Sequence, residues 1–221
     1  MHRYLYTNNV ENSLSMTFKT LYEVVKHSVE KFSSRIAFTM IDTEDVSYKE
    51  VGERIEDAQE KLLNAGVGAG DRVAIPSSSM PNWGVSYFAV TTAGMIAVPI
   101  LPDFTSSELD LIIEHSEAKA ILVSDKLYAK LSKDVIEKLN IVIRTKGLNA
   151  IVKHVSERAE KRIPQPEDTA AIIYTSGTTS KPKGVMLTHR AISMQLTVIP
   201  PLFDYNQEDV LLSILPLSHT Y

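Results

Sequence analysis

A run of hydroxyl, glycine and lysine residues between two short apolar segments is the part of this sequence best suited to chemistry. The apolar segments are residues 170–174 and 185–187, and residues 174–185 read Tyr-Thr-Ser-Gly-Thr-Thr-Ser-Lys-Pro-Lys-Gly-Val. Hydroxyl groups and the backbone N–H groups that glycines expose donate hydrogen bonds, and lysines supply positive charge. Each hydrogen bond to a charged group contributes roughly 1.5–3 kcal/mol. The run therefore predicts a loop that holds the anionic oxygens of a polyphosphate.

Particular positions of this loop favour particular contacts. Gly177 and Gly184 allow the backbone to approach a ligand where a side chain would clash. Lys183 is the better candidate for a phosphate contact, because the rigid Pro182 before it and the glycine after it restrict its direction. Lys181 could equally be solvated.

Two other phosphate-binding patterns are absent from the sequence. No Gly-Lys-Ser or Gly-Lys-Thr occurs, so the loop is not a Walker loop. Gly66, Gly68 and Gly70 are spaced Gly-x-Gly-x-Gly and lead into a strand, which does not fit a dinucleotide-binding turn. A flexible Ser/Thr/Gly linker is the remaining alternative. It is disfavoured because the apolar segments on both sides are typical of buried strands.

The loop closely resembles the phosphate loop of the adenylate-forming superfamily, which includes acyl-CoA synthetases, luciferases and peptide-synthetase adenylation domains. The pattern of that family is Tyr-Thr-Ser-Gly-Thr-Thr-Gly-x-Pro-Lys-Gly, and one fixed position differs here. Ser180 stands where the family usually has glycine. If that position needs a positive φ, the substitution costs roughly 1–2 kcal/mol and loosens the loop.

The resemblance implies a role for each matching residue. Thr175 would help to hold Mg²⁺ and Lys183 would neutralise phosphate charge, which makes these two the catalytic candidates. The β- and γ-phosphates would be held by the residues that follow Thr175. The implied ATP-binding set is Thr175, Ser176, Gly177, Thr178, Thr179, Ser180, Lys183 and Gly184.

A second motif lies at residues 215–221, which read Leu-Pro-Leu-Ser-His-Thr-Tyr. It resembles the segment that lines the acyl pocket in long-chain fatty acyl-CoA synthetases, and this implies that His219 is a gate to that pocket. A hydrogen-bonded histidine near a core strand is the alternative, and the sequence leaves both open. His27, His115 and His154, on segments of helical character, have no partner at metal-ligand spacing and are assigned no role.

The resemblance implies ATP-dependent activation of a fatty acid to acyl-AMP, followed by transfer to coenzyme A. ATP, Mg²⁺ and coenzyme A would be required, the last as a co-substrate. Two other readings stay open. One is another ligase of the superfamily, such as an amino-acid adenylation domain or a fatty acyl-AMP ligase. The other is an inactive structural or phosphate-binding fragment.

Members of this family are much longer than 221 residues. We therefore expect residues 1–221 to form a partial N-terminal large domain of the adenylate-forming fold, without the C-terminal cap domain. Residues 146–168 are polar and charged and contain two prolines. They predict a helix followed by an extended connector between two subdomains.

Composition narrows the function classes further. The net charge of −4 gives no basic face for nucleic acid, so no nucleic-acid partner is expected. The absence of cysteine excludes disulfides, thiolate metal sites and a cysteine nucleophile. These features fit a cytoplasmic protein, with possible peripheral membrane contact, and they leave the oligomeric state undetermined.

The elements that must position the two motifs alternate along the chain, which predicts an α/β fold of layered sheets with flanking helices. Ser47 with Glu50 and Thr105 with Glu108 form capping boxes that begin two helices, and Gly66 ends the first of them. Further helices are expected at residues 17–32, 82–93, 125–139 and 189–196. Strands are expected at residues 36–40, 72–75, 96–100, 119–123 and 141–143. A largely parallel sheet binds ligands at the carboxyl ends of its strands, where the phosphate loop would lie.

Overall fold

The computed structural model describes residues 18–41, 43, 45–152, 154, 157–175, 182–203 and 208–219. The described helices are Leu21–Lys31 (α1), Tyr48–Asn64 (α2), Pro81–Thr92 (α3), Ser106–His115 (α4), Asp125–Tyr128 (α5), Lys133–Lys138 (α6) and His189–Val198 (α7). A 3₁₀ turn follows at Pro200–Leu202. The described strands are Ile36–Phe38 (β1), Val46–Ser47 (β2), Arg72–Pro76 (β3), Ile96–Ile100 (β4), Ala120–Val123 (β5), Ile141–Arg144 (β6), Asn149–Val152 (β7), Thr169–Thr175 (β8) and Lys183–Thr188 (β9).

Seven of these strands form one sheet in the order β7-β6-β5-β3-β4-β8-β9. The five inner strands, β6, β5, β3, β4 and β8, run parallel to one another. The edge strands β7 and β9 pair antiparallel with β6 and β8. Strands β1 and β2 form a separate antiparallel pair. Parallel strands joined through helices produce the layered α/β architecture, so the predicted fold class is confirmed.

Apolar side chains cover both faces of the sheet. One buried cluster packs helices α2 and α3 against one face, and a second packs α4, α5 and α6 against the other. All four residues of β5 are fully buried, as expected for an inner parallel strand with helices on both sides.

Strands β4 and β8 are paired less extensively than the other inner strands. Strands β3 and β4 are in register at five positions, whereas in the described residues β4 and β8 are in register only at Ala97 and Ala171. Pro99 lies two residues beyond that pair and has no N–H group to donate to a neighbouring strand. The ladder between β4 and β8 is therefore shorter than the ladder between β3 and β4.

The predicted helix signals are confirmed in detail. Ser47 and Glu50 form a complete capping box at the start of α2, and Thr105 and Glu108 do the same for α4. Gly66, with a φ of 73°, follows the end of α2. A positive φ at this position suits glycine, so the stop signal acts as expected.

Two of the predicted helices are wrong. Residues 125–139 form two short helices, because Ser132 begins the second one by accepting a hydrogen bond from the Val135 N–H at 3.3 Å. Residues 146–167 contain strand β7 where a helix was expected, because a turn at residues 145–148 folds the chain back onto β6. The strands before and after residues 146–168 belong to one sheet. The assignment of that segment as a connector between subdomains stays a prediction.

Candidate functional site

The predicted phosphate loop connects the two strands of a β-hairpin. Strand β8 ends at Thr175, and β9 begins at Lys183, which is the register partner of Thr175. Thr175 and Lys183 therefore face each other at the base of the loop. The loop leaves the carboxyl end of β8, which is the edge where parallel sheets bind ligands. Ser176, Gly177, Thr178, Thr179 and Ser180 lie outside the described residues, so their roles stay predictions.

Alternation along the hairpin separates its side chains onto two faces. Thr175 and Lys183 lie on the same face, where directly paired residues have Cβ atoms about 4.5–5.5 Å apart. Both residues are exposed. The hairpin therefore presents a hydroxyl and an ammonium group side by side to solvent, which is a suitable arrangement for an anionic ligand.

The opposite face of the hairpin explains why residue 184 is glycine. Gly184 pairs with Tyr174, and a Cβ atom at Gly184 would lie 2.6 Å from Cγ2 of Ile172 and 3.3 Å from Cζ of Tyr174. Real Cβ atoms do not approach other heavy atoms as closely as the first distance. Glycine at this position therefore lets β9 lie close to β8 directly after Lys183.

The two apolar segments beside the loop differ in their burial. Ala170, Ala171 and Tyr174 of β8 are buried, as the sequence predicted. In β9, Val185 and Met186 are 50% and 70% exposed. The prediction of a buried strand on this side is wrong, because β9 is the edge strand of the sheet and no described helix covers it.

The second motif lies at the same edge of the sheet as the phosphate loop. The Leu217 N–H donates a 3.0 Å hydrogen bond to Oγ of Ser79, which lies shortly after the carboxyl end of β3. A 2.9 Å bond from the His219 N–H to the Pro216 carbonyl closes a turn that leaves the His219 side chain exposed. Because β3 and β8 run parallel, the structure brings both predicted motifs to one edge. The gating role of His219 stays a prediction.

One contact of the hairpin was missed by sequence reasoning. Nδ1 of His115, at the end of α4, lies 2.8 Å from the hydroxyl of Tyr174. Burial raises the pKa of the Tyr174 hydroxyl, an effect that the positive charge of Arg72 opposes. The phenol is therefore neutral and available as a hydrogen-bond partner. The two residues are 59 positions apart, and no spacing pattern in the sequence connects them.

Helix α7 is held next to the hairpin by capping and by a buried histidine. Thr188, the last residue of β9, accepts a 3.1 Å hydrogen bond from the Ala191 N–H and so caps the start of α7. Nδ1 of His189 accepts a 3.3 Å bond from the Leu21 N–H, and this bond ties α7 to the start of α1. Burial lowers the pKa of His189, although Asp168 opposes the shift. A neutral imidazole is required for Nδ1 to accept this bond.

The capacity of the site to hold a metal ion depends on hydroxyl oxygens. Among the residues that the structure describes, no group of three or more histidine, aspartate or glutamate side chains could hold a metal. The Thr175 hydroxyl is a hard oxygen donor of the kind that Mg²⁺ prefers, and Mg²⁺ usually keeps several waters and shares substrate phosphates. The donor type at Thr175 therefore fits the predicted ion.

Within the described residues, no helix has both the length and the apolar character needed to cross a bilayer. The peripheral membrane contact expected from the sequence stays a prediction.

Comparison with known proteins connects this geometry to a family. The profile of the family described as "AMP-binding enzyme" matches residues 25–221. Long chain acyl-CoA synthetase 1 of Arabidopsis thaliana is 30% identical over 235 residues, which cover 90% of this chain and 36% of the plant protein. Indigoidine synthase of Streptomyces lavendulae is 28% identical over 212 residues, which cover 96% of this chain and 16% of that protein.

A solved structure supports the same relationship. O-succinylbenzoate coenzyme A synthetase of Bacillus subtilis, in complex with AMP, superposes with a TM-score of 0.73 at 25% identity. The match covers 88% of this chain and 49% of that one. The chain thus spans half or less of the length of each of these three proteins.

Proposed function

Because this chain belongs to the AMP-binding enzyme family, whose profile matches residues 25–221, we propose that it is part of an ATP-dependent ligase that activates a carboxylic acid. A carboxylate oxygen bonds to the α-phosphorus of ATP as the bond to the bridging oxygen breaks, which gives an acyl-adenylate and pyrophosphate. The acid is a long-chain fatty acid. The thiol of coenzyme A then attacks the acyl carbonyl, AMP leaves, and the thiol proton passes to solvent.

The base of the β8–β9 hairpin is the observation that carries this proposal. The first step brings two anions together and places new charge on the departing pyrophosphate. Donors that are already in position stabilise such charge without reorganising during the reaction. Thr175 and Lys183 are register partners on one exposed face at the carboxyl end of β8. Lys183 would neutralise phosphate charge, and the loop hydroxyls would hold the phosphate oxygens.

Mg²⁺ would be held in part by the Thr175 hydroxyl, together with oxygens of the bound phosphates. When bound, the ion supplies positive charge that offsets the charge of the polyphosphate. Thr175 itself orients a hydroxyl toward the same face as the Lys183 ammonium group. This chain thus contributes a neutral donor and a cation to one end of the phosphate site.

The proposal is tested with Thr175→Ala and Lys183→Ala in the full gene product, given ATP, magnesium and a fatty acid. Removing one well-placed donor of this kind slows the chemical step by about 10²–10³. Pyrophosphate release measures the first step directly. Lys126→Ala is a matched control, because Lys126 is an exposed lysine of α5 and has no assigned role. Unchanged pyrophosphate release in both hairpin variants would contradict these roles.

A second candidate function is adenylation of a different acid, or adenylation without transfer to coenzyme A. It is supported by the relatives, which include an indigoidine synthase and an O-succinylbenzoate coenzyme A synthetase beside a long-chain acyl-CoA synthetase. Exchange of labelled pyrophosphate into ATP, measured with fatty acids, aromatic acids and amino acids in parallel, identifies the acid. An assay with and without coenzyme A then identifies the acceptor.

We further propose that His219 acts at the entrance to the acid pocket. Its exposed side chain is placed by the turn that Leu217 anchors on Ser79. His219→Ala in the full gene product should change the KM for the fatty acid more than the KM for ATP. Equal changes in the two constants would instead favour a general structural role.

A further inference from the structure

The hydroxyl of Tyr174 links the phosphate hairpin to His115, the last residue of helix α4. Tyr174 lies directly before Thr175 and is only 6% exposed. Its hydroxyl lies 2.8 Å from Nδ1 of His115, and the two rings meet edge to face with centroids 5.7 Å apart. His115 therefore contacts both the hydroxyl and the ring of Tyr174.

The end of α4 that carries His115 is itself held in place. Nε of Arg72 donates a 2.9 Å hydrogen bond to the Ser116 carbonyl, and one Nη of Arg72 bonds to the carbonyl and the carboxylate of Glu117 at 3.3 and 2.6 Å. Ser116 also bonds through its hydroxyl to the Ile113 carbonyl at 3.0 Å. Because Arg72 is the first residue of the inner strand β3, these bonds anchor His115 to the centre of the sheet.

On its other side, the Tyr174 ring limits how strand β9 can lie. Gly184 is the register partner of Tyr174, and a Cβ atom there would lie 3.3 Å from Cζ of the ring. The next pair along the hairpin is Thr175 with Lys183. A shift of the tyrosine ring would therefore move the strand position next to the two candidate phosphate contacts.

We propose that His115 is a positioning residue for the phosphate site. By holding the hydroxyl of Tyr174, it fixes the tyrosine ring beneath Gly184 and sets the spacing of Thr175 and Lys183 at the base of the loop. This inference takes the polyphosphate of Mg-ATP as the ligand, and that choice rests on the proposed function. His115 touches neither the ligand nor the reacting atoms in this scheme.

Three variants test the hydrogen bond itself. His115→Leu and Tyr174→Phe each remove one partner and keep an apolar group of similar size, and the third variant combines them. Calorimetry with Mg-ATP on the full gene product measures the dissociation constant. Each single variant should weaken binding about two- to tenfold, the range that one hydrogen bond of ordinary net strength gives. The double variant should be no weaker than the singles, because both remove the same bond.

Two further variants separate positioning from general stability. His115→Asn places an amide group close to the position of Nδ1 and should restore most of the affinity. His27→Leu is the matched control, because His27 lies on α1 and contacts the rings of Phe18 and Phe32, not the hairpin. It should leave the dissociation constant unchanged.

A second measurement follows the hairpin directly. Backbone amide hydrogen exchange of residues 183–185 should become faster in His115→Leu than in His27→Leu. A lower melting temperature with unchanged Mg-ATP affinity and unchanged exchange would overturn the inference. The inference would also be overturned if the loss of Mg-ATP affinity in the double variant equalled the product of the losses in the two single variants.

The two proposals fail in different ways. If the unaltered protein does not bind Mg-ATP, the proposed function fails, and the positioning role fails with it. If the unaltered protein binds Mg-ATP and the His115 and Tyr174 variants bind equally well, only the positioning role fails.

Discussion

The interior of the sheet and its β9 edge contrast in how their apolar residues are used. Ala120, Ile121, Leu122 and Val123 of β5 are fully buried, whereas Val185 and Met186 of β9 are at least half exposed. On α7, Met194 is 60% exposed. The candidate phosphate contacts lie in this less covered region, while the well-packed interior supplies the support for them.

The largest difference between the two regions should appear on truncation of an apolar side chain. Leu122→Ala should lower the free energy of unfolding by about 2–5 kcal/mol, because it removes buried methyl groups and leaves a cavity. Met186→Ala should change it by less than about 0.5 kcal/mol, since the side chain is already in contact with water. Urea unfolding of both variants checks the comparison. Similar losses for the two would show that β9 is covered in solution.

Helix caps should give a smaller contrast, between α2, which packs against the covered sheet, and α7, which follows the β9 edge. Ser47 accepts from the Glu50 N–H at 3.2 Å while the Glu50 carboxylate accepts from the Ser47 N–H at 2.8 Å. Thr188 makes a single cap bond at the start of α7. Ser47→Ala should therefore cost about 1–2 kcal/mol and Thr188→Ala about 0.5–1 kcal/mol. The same urea experiment measures both, and a larger loss at Thr188 would refute the ordering.

The smallest expected effect is a pH dependence at the bond between α7 and α1. Because burial lowers the pKa of His189 in the folded state, the unfolded chain binds its proton more readily. Neutral His189 therefore contributes to the free energy of unfolding, and the contribution is complete above the ordinary histidine pKa of about 6.5. It is lost as the pH falls through that value toward the lower pKa of the folded state. His189→Asn keeps an acceptor near Nδ1 without the titration. Its unfolding free energy should depend less on pH between 5.5 and 7.5, and an unchanged slope would contradict this explanation.

The sequence was most informative where local chemistry decides the structure. Strand β4 has the predicted bounds, and both capping boxes form, because a strand buried on both faces and a helix start each depend on adjacent residues. Strand β7 was missed because its four residues are exposed and its identity depends on pairing with β6. The break at Ser132 was missed because residues 125–139 were interpreted as one helix.

The site shows the same division between local and distant information. The hairpin and its position at the carboxyl end of β8 were predictable from the composition of residues 174–185. The exposure of β9 was not predictable, because it depends on whether another strand lies beyond β9 in the sheet. The His115–Tyr174 bond joins residues 59 positions apart and required the packed helix α4 to be known.

The direct pairing of Thr175 with Lys183 has a mechanical consequence. The two residues end a ladder in which β8 and β9 are in register at six positions. Thr175 and Lys183 pair with each other, so they would travel together as one unit. A displacement of the loop end of the hairpin would therefore carry the hydroxyl and the ammonium group to an anion as one pair.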